Sequence, residues 1–385
     1  MEHIFILSAC RTPIGMFGGA LSGVSALQLG THIAQAAVAR AGIAPAQVDH
    51  SAFGMVSLTE PNDLYLARIV AMGAGASDTV SGVNVNMLCG SGLQAVVQGV
   101  QALAMGGADV ALVGGVETIS RTTHLLQSAR FGTRMGDAPV VDLLDAALTC
   151  PFGGVKLGVT AETLAHEFQI SRAAQDTCAL ESHARARAAQ AGGRLAQQIV
   201  PVDLPCGRVL ASDEGPRATT AKLLGRLPAA FVPNGTVTAG NSGGLGDAAA
   251  ALVLTREVPQ GHRPLARIVA MAQSGVDPAR MGYGPVLAVR KLLARTGWTI
   301  DDFDLIESNE AFAAQALVVA QELGFDHTRA NLDGGAIAHG HPVGATGAIL
   351  TVKAAHGLAR AGRGRALVAM CVGGGQGIAL ALEAA

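Results

Sequence analysis

The chain has 385 residues, of which 50% are hydrophobic, 15% are charged and only 3% are aromatic, and its formal net charge is -2. This length exceeds a typical domain of roughly 100–200 residues, so we expect two or three units around a large core. The near-zero net charge argues against nucleic-acid binding, and no apolar run is long enough to span a membrane.

Cysteine usage and the first residues predict where the protein resides. The 6 cysteines form no Cys-x-x-Cys pair and no disulfide-dense spacing, which is typical of a reducing compartment. The apolar segment Ile4–Ser8 comes almost at once and leaves no room for a charged, cleavable leader. We therefore expect a cytoplasmic protein.

Strand and helix signals alternate in the first part of the chain. Short apolar, β-branched runs predict strands, and apolar residues at helical spacing predict helices. The predicted strands are Ile4–Ser8, Ala52–Val56, Val80–Val85 and Val110–Val113, and the predicted helices are Ser25–Ala41, Asp63–Met72 and Ser91–Met105. Such alternation is typical of an α/β protein.

From about Glu117 to Gly240 this alternation is lost. The segment is polar and irregular, yet helical runs at Thr160–Phe168 and Ser171–Ala191 show that it is more than a linker. We predict an inserted loop domain.

The last part of the chain resembles the first. Ala108–Gly115 is similar to Arg365–Gly374. The approach to Cys89 and the helix after it are similar to Asn331–Gly335 and the helix after Gly344. This likeness predicts a duplication, in which two similar α/β halves present equivalent strand-to-helix turns at one face. Chance likeness between glycine-rich turns is the alternative.

Cys89 lies on a turn between the strand that ends at Val85 and the helix that begins at Ser91. A helix N-terminus favours a thiolate, which is the form of cysteine that attacks carbonyl carbon. The glycines on both sides of Ser91 allow a ligand or another backbone segment to come close. The alternative is a cysteine that only fills space.

Three further stretches carry groups that a nucleophilic cysteine needs. His341 lies on the turn that corresponds to the Cys89 turn across the repeat and is a candidate base. Asn309 follows a predicted strand and can orient a water molecule or an oxyanion, or simply cap a helix. Cys371 precedes a run of glycines whose N–H groups can bind an anion. Taken singly, His341 and Cys371 are equally well explained as structural residues.

His339 stands two residues before His341, which raises the question of a metal site. Two imidazoles without a nearby cluster of carboxylates or cysteines are a weak zinc signal. We predict no metal.

Together the four stretches resemble the thiolase family, and the likeness covers nearly the whole chain. The motifs stand in the family's order and spacing, and they are the Cys89 segment, Asn309-Glu310-Ala311-Phe312, Gly340-His341-Pro342 with its trailing Gly-Ala-Thr-Gly, and Cys371–Gly377. Within the family the chain is most similar to acetyl-CoA acetyltransferases and short-chain, broad-specificity 3-ketoacyl-CoA thiolases. The resemblance implies a thiolase fold of five layers, α/β/α/β/α, and a homodimer or homotetramer.

The resemblance also implies domain limits. Residues 1–117 and 245–265 would form the N-terminal half, residues 118–244 a loop domain that binds coenzyme A, and residues 266–385 the C-terminal half.

The implied reaction is the reversible Claisen condensation of acyl-CoA with acetyl-CoA to a 3-ketoacyl-CoA and coenzyme A, without a bound cofactor. His341 would take the proton of Cys89, which would then carry the acyl group. Cys371 would remove a proton from the second thioester. The N–H groups of Cys89 and Gly373 would hold the oxyanion, and His341 with a water molecule on Asn309 would hold the enolate.

Two positions depart from the family pattern. Lys156-Leu157 stands where the family has His-Met in the pantetheine and acyl pocket, so Lys156 either points its charge at the ligand or turns away. Ser242-Gly243-Gly244 replaces Ala-Ser-Gly, so the serine that contacts the pantetheine arm is moved or missing. Other candidate binding residues are Arg217, Phe231, Leu245, Met281 and Phe312. The alternative for the apolar residues is a place in the core, and the alternative for the arginine is a solvated surface position.

Two other classes of protein remain open. A condensing enzyme of the ketoacyl synthase kind also uses a cysteine on this fold, but it pairs the cysteine with two histidines, whereas this chain has Asn309 and Cys371. A non-catalytic acyl-CoA binder would fit the changes at Lys156 and Gly243.

Overall fold

The computed structural model describes residues 3–385. Its strands, in chain order, are β1 (Ile4–Arg11), β2 (Gly15–Met16), β3 (His50–Gly54), β4 (Ser81–Val85), β5 (Val110–Thr118), β6 (His124–Leu126), β7 (Val140–Asp142), β8 (Thr149–Cys150), β9 (Val155–Lys156), β10 (Val202–Asp203), β11 (Val209–Leu210), β12 (Gly246–Thr255), β13 (Ala266–Gly275), β14 (Leu305–Ser308), β15 (Arg365–Val372) and β16 (Gln376–Glu383).

The α-helices are α1 (Ala26–Ala41), α2 (Leu66–Gly73), α3 (Ser91–Ala104), α4 (Leu143–Ala147), α5 (Leu157–Glu167), α6 (Arg172–Ala191), α7 (Ala221–Leu224), α8 (Gly284–Thr296), α9 (Ala313–Leu323), α10 (Ala336–His339) and α11 (Thr346–Ala361). The helices predicted in the first part of the chain are present, with ends that differ by up to three residues from the prediction.

Local sequence explains where these helices begin and end. The Ser25 side chain caps the N–H of Gln28, and the Gln28 side chain accepts the N–H of Ser25, which is the reciprocal cap that starts α1. Gly42 ends the same helix in the left-handed region, with φ of 65°. The predicted helix Ser25–Ala41 therefore agrees with α1 to one residue.

One long sheet runs through the molecule in the order β14-β15-β16-β13-β1-β12-β5-β3-β4, with β2 beside β12. Its two halves repeat the same pairing. The pair β3–β5 is parallel, as is β14–β15, while β5–β12–β1 is antiparallel, as is β15–β16–β13. A single parallel bridge between Ile306 and Ala330 stands where the first half has β4. The predicted duplication is confirmed.

The two halves of the sheet meet edge to edge. Residues Ile4 to Ile6 of β1 pair with residues 266–268 of β13. The sheet thus continues from one half into the other at this seam.

Helices and sheet form five layers. Helices α1 and α2 pack on the outer face of the N-terminal half, and α8 and α9 pack on the outer face of the C-terminal half. Between the halves lie α3 and α11, which contact each other and share the largest apolar core with both halves of the sheet. The expected α/β/α/β/α arrangement is confirmed, and it brings the N-terminal ends of α3 and α11 together.

Residues 118–244 leave the sheet at the end of β5 and return to it at β12. They contain the hairpins β6–β7, β8–β9 and β10–β11, and the helices α5 and α6, which pack against α9 and α10 of the C-terminal half. The exact domain limits stay a prediction. No helix within residues 3–385 has both the length and the apolar character needed to cross a membrane.

Candidate active site

Cys89 lies on a rigid turn between β4 and α3. The Ser91 hydroxyl donates to the Leu88 carbonyl at 2.6 Å and accepts the Met87 N–H at 2.9 Å. Leu88 adopts a left-handed conformation, with φ of 48°, which is uncommon for a residue with a side chain. The turn therefore holds Cys89 in one orientation at the start of α3.

Two glycines allow the Cys89 turn to approach the end of β15. A Cβ on Gly90 would lie 2.9 Å from the side chain of Val372, and a Cβ on Gly373 would lie 2.8 Å from the side chain of Leu88. Because neither glycine carries a Cβ, the two turns can pack against each other. The backbone N–H groups of Gly373 and of Cys89 itself both lower the pKa of the Cys89 thiol.

The Cys89 sulfur is protonated at neutral pH. Burial raises the pKa of this thiol to about 11, and the two N–H donors only partly offset the effect. The sequence favoured a thiolate at this helix terminus. Removal from water disfavours the charged form of this thiol more than the helix end stabilises it. Cys89 thus needs a base at the moment of attack.

His341 lies on the loop between α10 and α11, and hydrogen bonds hold both its backbone and its imidazole ring. Its N–H donates to the Gly244 carbonyl at 2.6 Å, and its Nδ1 lies 2.7 Å from the Thr346 hydroxyl. That hydroxyl donates to the Pro342 carbonyl at 2.9 Å, so it accepts a proton from Nδ1. The hydrogen-bond network thereby assigns the lone pair to Nε2, which has no partner within residues 3–385. Burial lowers the pKa of His341 to about 4, so the ring is neutral.

Cys371 lies at the end of β15, opposite Gly377 in the β15–β16 hairpin. It is fully buried. Burial, and secondarily the nearby Cys89 sulfur, raise the pKa of this thiol well above its usual range. Both sulfurs line the same cavity, so residues from the two halves of the fold meet in one site.

Asn309 follows β14 and is also fully buried. Its backbone N–H donates to the Ala369 carbonyl at 2.9 Å, but neither atom of its side-chain amide has a partner in the described part of the chain. A buried amide without a protein partner is rare. The next residue, Glu310, is in contrast anchored by the Ser182 hydroxyl at 2.7 Å and the Asn331 amide at 2.9 Å.

The cavity that joins these groups encloses about 80 Å³ and has a mainly apolar wall. The predicted residues that line it are Cys89, Leu157, Gly243, Leu245, Met281, Phe312, His341, Cys371 and Gly373. Asn309 lies outside the wall. Lining residues that the sequence did not single out as binding residues are Val56, Leu88, Ile119, Ala147, Leu148, Ala311 and Val343. They are ordinary apolar residues, and only the folded chain brings them together.

Four predicted binding residues do not line this cavity. Lys156 pairs with Asp145 and lies 2.9 Å from the Thr149 hydroxyl, so its charge turns away from the cavity. The Ser242 hydroxyl donates to the Thr238 carbonyl at 2.7 Å. Phe231 packs edge-on against Phe312 at 5.9 Å, behind the wall. Arg217 lies on the exposed surface.

His339 has structural partners. Its Nδ1 lies 2.9 Å from an oxygen of Asp213, and its Nε2 lies 2.8 Å from the Asp333 carbonyl. Within residues 3–385 no group of three or more metal-binding side chains comes together.

Comparison with known proteins gives concordant matches. Family models for the thiolase N-terminal and C-terminal domains match residues 4–258 and 262–384. The beta-ketothiolase BktB of Cupriavidus necator is 47% identical over 391 residues, covering 99% of each chain. The acetyl-CoA acetyltransferase of Thiocystis violacea is 44% identical, also with 99% of each chain covered.

Solved structures agree with this result. The crystal structure of Bacillus anthracis acetyl-CoA acetyltransferase has a TM-score of 0.96 at 40% identity and covers 100% of this chain and 99% of its own. The structure of human mitochondrial 3-ketoacyl-CoA thiolase in complex with CoA has a TM-score of 0.97 at 38% identity, covering 100% and 98%.

The fold and the paired thiols define an acyltransferase. The chain belongs to the thiolase family, whose members catalyse the Claisen condensation of acyl thioesters and the reverse thiolysis. The two other classes, a ketoacyl synthase and a non-catalytic binder, are not favoured.

Proposed function

We propose that the protein condenses acetyl-CoA with a second short acyl-CoA, or cleaves the corresponding 3-ketoacyl-CoA, with Cys89 as the acyl carrier and no bound cofactor. One observation carries this proposal: Cys89, His341 and Cys371 line one small apolar cavity. The presence of CoA in the related human structure supports coenzyme A as the carrier group. The apolar wall favours a short, uncharged acyl group.

In the first half-reaction, Nε2 of His341 takes the Cys89 proton as the sulfur attacks the thioester carbonyl. The N–H groups of Gly373 and Cys89, which both lower the pKa of the thiol, would hold the oxyanion. The departing coenzyme A sulfur needs a proton, and the Cys371 thiol supplies it. Burial keeps Cys371 protonated beforehand, which suits this role.

In the second half-reaction, the Cys371 thiolate removes a proton from the methyl group of acetyl-CoA. The His341 imidazolium and a water molecule bound by Asn309 stabilise the negative charge on the enolate oxygen. Attack on the acyl group then releases Cys89, which recovers its proton from His341. Protons balance over the cycle, since one proton lost from carbon appears on free coenzyme A.

The decisive experiment is an assay of the purified protein with acetoacetyl-CoA and coenzyme A. We expect loss of the substrate's enolate absorbance and ping-pong kinetics, because the acyl group is held covalently between two steps. Absence of turnover with every 3-ketoacyl-CoA tested, together with failure to form an acyl-enzyme, would overturn the proposal.

We also propose that the chain forms a homodimer or homotetramer. The edge strand β4 is largely exposed and has a free backbone edge, which natural proteins usually cover. The β6–β7 hairpin and its loop expose large apolar side chains, namely Leu125, Leu126, Phe131, Met135 and Val140. Light scattering after size-exclusion chromatography tests this, and a monomer at micromolar concentration would contradict it.

The cytoplasmic location stays a prediction.

A further inference from the structure

Glu117 is a buried carboxylate near the end of β5 that none of the four motifs includes. Its Oε2 accepts the N–H of Gly344 at 2.7 Å and of Val56 at 3.3 Å, and its Oε1 accepts the N–H of Ser57 at 3.2 Å. Burial raises the pKa of Glu117 to about 7, and none of the groups that act on it is a cation. The carboxylate is thus held by backbone N–H groups alone, from both halves of the fold.

Close backbone packing creates this position. A Cβ on Gly115, two residues earlier on the same face of β5, would lie 2.4 Å from the Gly344 carbonyl oxygen. A Cβ on Gly344 would lie 2.8 Å from Glu117 Oε2 and 2.9 Å from the Cα of Met55. The two glycines therefore let the loop before α11 lie directly against β5, with the Glu117 carboxylate between that loop and the residues after β3.

Glu117 stands behind the wall of the acyl cavity. Val56, one of its three donors, lines the cavity, and so does Val343, which precedes the donor Gly344. The carboxylate therefore ties two sides of the cavity to each other. A change of its position would move both sides relative to Cys89.

The charge of Glu117 also acts on Cys89. After burial, which is the largest cause, Glu117 contributes to raising the pKa of the Cys89 thiol. The other ionisable group that acts on Glu117 is Asp247 on the neighbouring strand β12, which further raises the pKa of Glu117. The ionised carboxylate thus opposes a thiolate at Cys89.

We propose that Glu117 is a positioning residue of the acyl-transfer reaction, which holds the Val56 and Val343 sides of the cavity in a fixed position relative to Cys89. The inference rests on Cys89 as the acylated residue.

Glu117→Gln tests the charge because it preserves the size of the side chain. Cys89 is alkylated with iodoacetamide over a range of pH, and the labelled peptide is identified by mass spectrometry. We expect the midpoint of the alkylation rate in the variant to move to lower pH, since a like charge has been removed. We expect kcat to fall by about 10- to 100-fold with a smaller change in KM, since the reacting groups are displaced.

Glu117→Asp separates charge from geometry. It keeps the negative charge but is too short to reach all three donors, so we expect the wild-type alkylation midpoint and a reduced kcat. Asp49→Asn is the matched control, because Asp49 accepts the N–H groups of Asp109 and Val110 at the opposite end of β5. It should leave the alkylation midpoint of Cys89 unchanged.

The outcomes separate the hypotheses. An unchanged midpoint in Glu117→Gln, an equal shift in Asp49→Asn, or wild-type kcat in Glu117→Asp overturns the role of Glu117. If Glu117→Gln does not fold, Glu117→Asp still decides the positioning role through its kcat. Failure of wild-type Cys89 to react at any pH would instead count against Cys89 as the acyl carrier.

Discussion

The backbone N–H of Gly373 lies near enough to the sulfur of Cys89 to lower the pKa of that thiol, although the two residues belong to opposite halves of the duplicated fold. The contact depends on the interlocking of two turns, where Gly373 faces Leu88 and Gly90 faces Val372. Reactivity at Cys89 is therefore sensitive to small changes in either turn.

Gly373→Ala should lower kcat by about 10²- to 10³-fold, the usual cost of losing one oxyanion donor. The added Cβ would lie 2.8 Å from the side chain of Leu88, so the two turns must separate. Gly23→Ala is the control, because a Cβ there meets nothing within 4 Å. Steady-state rates and Tm are measured for both variants. Wild-type kcat in folded Gly373→Ala would show that the donor is not needed.

Replacing each of the two cysteines should block a different step of the reaction. Cys89→Ala should abolish acyl-enzyme formation, because it removes the atom that carries the acyl group. Cys371→Ala should acylate more slowly, because the departing coenzyme A sulfur loses its proton donor, and it should lose condensation altogether, because no thiolate remains to take the methyl proton. Rapid-quench labelling with radioactive acetyl-CoA separates the half-reactions. Equal loss of both steps in the two variants contradicts the proposed roles.

Asn309→Ala should slow condensation by about 10²-fold or more and leave Tm nearly unchanged. The physical reason is that the Asn309 amide makes no hydrogen bond to residues 3–385, so its removal breaks none of them. Asn241→Ala is the contrasting variant, since the equally buried Asn241 amide bonds to Asp176, Thr236 and Thr238. It should destabilise the fold by about 1–3 kcal/mol for each group left unpaired. A large Tm loss in Asn309→Ala is the unexpected result.

Lys156→Met should change kcat/KM for acetoacetyl-CoA by less than about threefold, because the exposed pair of Lys156 with Asp145 points away from the cavity. Leu157→Ala should behave differently, because Leu157 lines the cavity. It should raise kcat/KM for longer 3-ketoacyl-CoA substrates relative to acetoacetyl-CoA by about tenfold. Competition assays with both substrates measure the ratio. A tenfold loss of kcat/KM in Lys156→Met would instead indicate that the lysine charge contacts the ligand.

His341 sets an expectation for pH. Burial lowers its pKa from 6.5 to about 4, so the folded protein binds this proton less readily than the unfolded chain. The resulting stability is fully present above pH 6.5 and is lost as the pH falls toward 4. His341→Gln should therefore flatten the fall of Tm in this window. The acid limb of the wild-type kcat/KM profile should lie well below pH 6.5, and a limb at 6.5 would contradict a buried neutral base.

Much of the fold was predictable because it depends on local pattern. The cap at Ser25, the turn at Cys89 and the similarity of the two chain ends are all visible in short windows of sequence. The same is true of the four motifs, whose residues meet in the structure except that Asn309 lies outside the cavity wall.

What could not be predicted depends on packing between distant segments. Glu117 resembles any acidic residue at the end of a strand until Gly344 and Ser57 are placed against it. The direction of Lys156 is decided by Asp145 on a neighbouring segment. The helix terminus alone suggested a thiolate at Cys89, whereas the depth of burial reverses that conclusion.

The seam between β1 and β13 limits how a substrate can enter. A movement of the two halves away from each other would break the backbone pairing between β1 and β13. The same movement would separate α3 from α11. Ala147 and Leu148 of the insertion line the cavity beside short, partly exposed elements away from this seam, so we expect the acyl chain to enter past them.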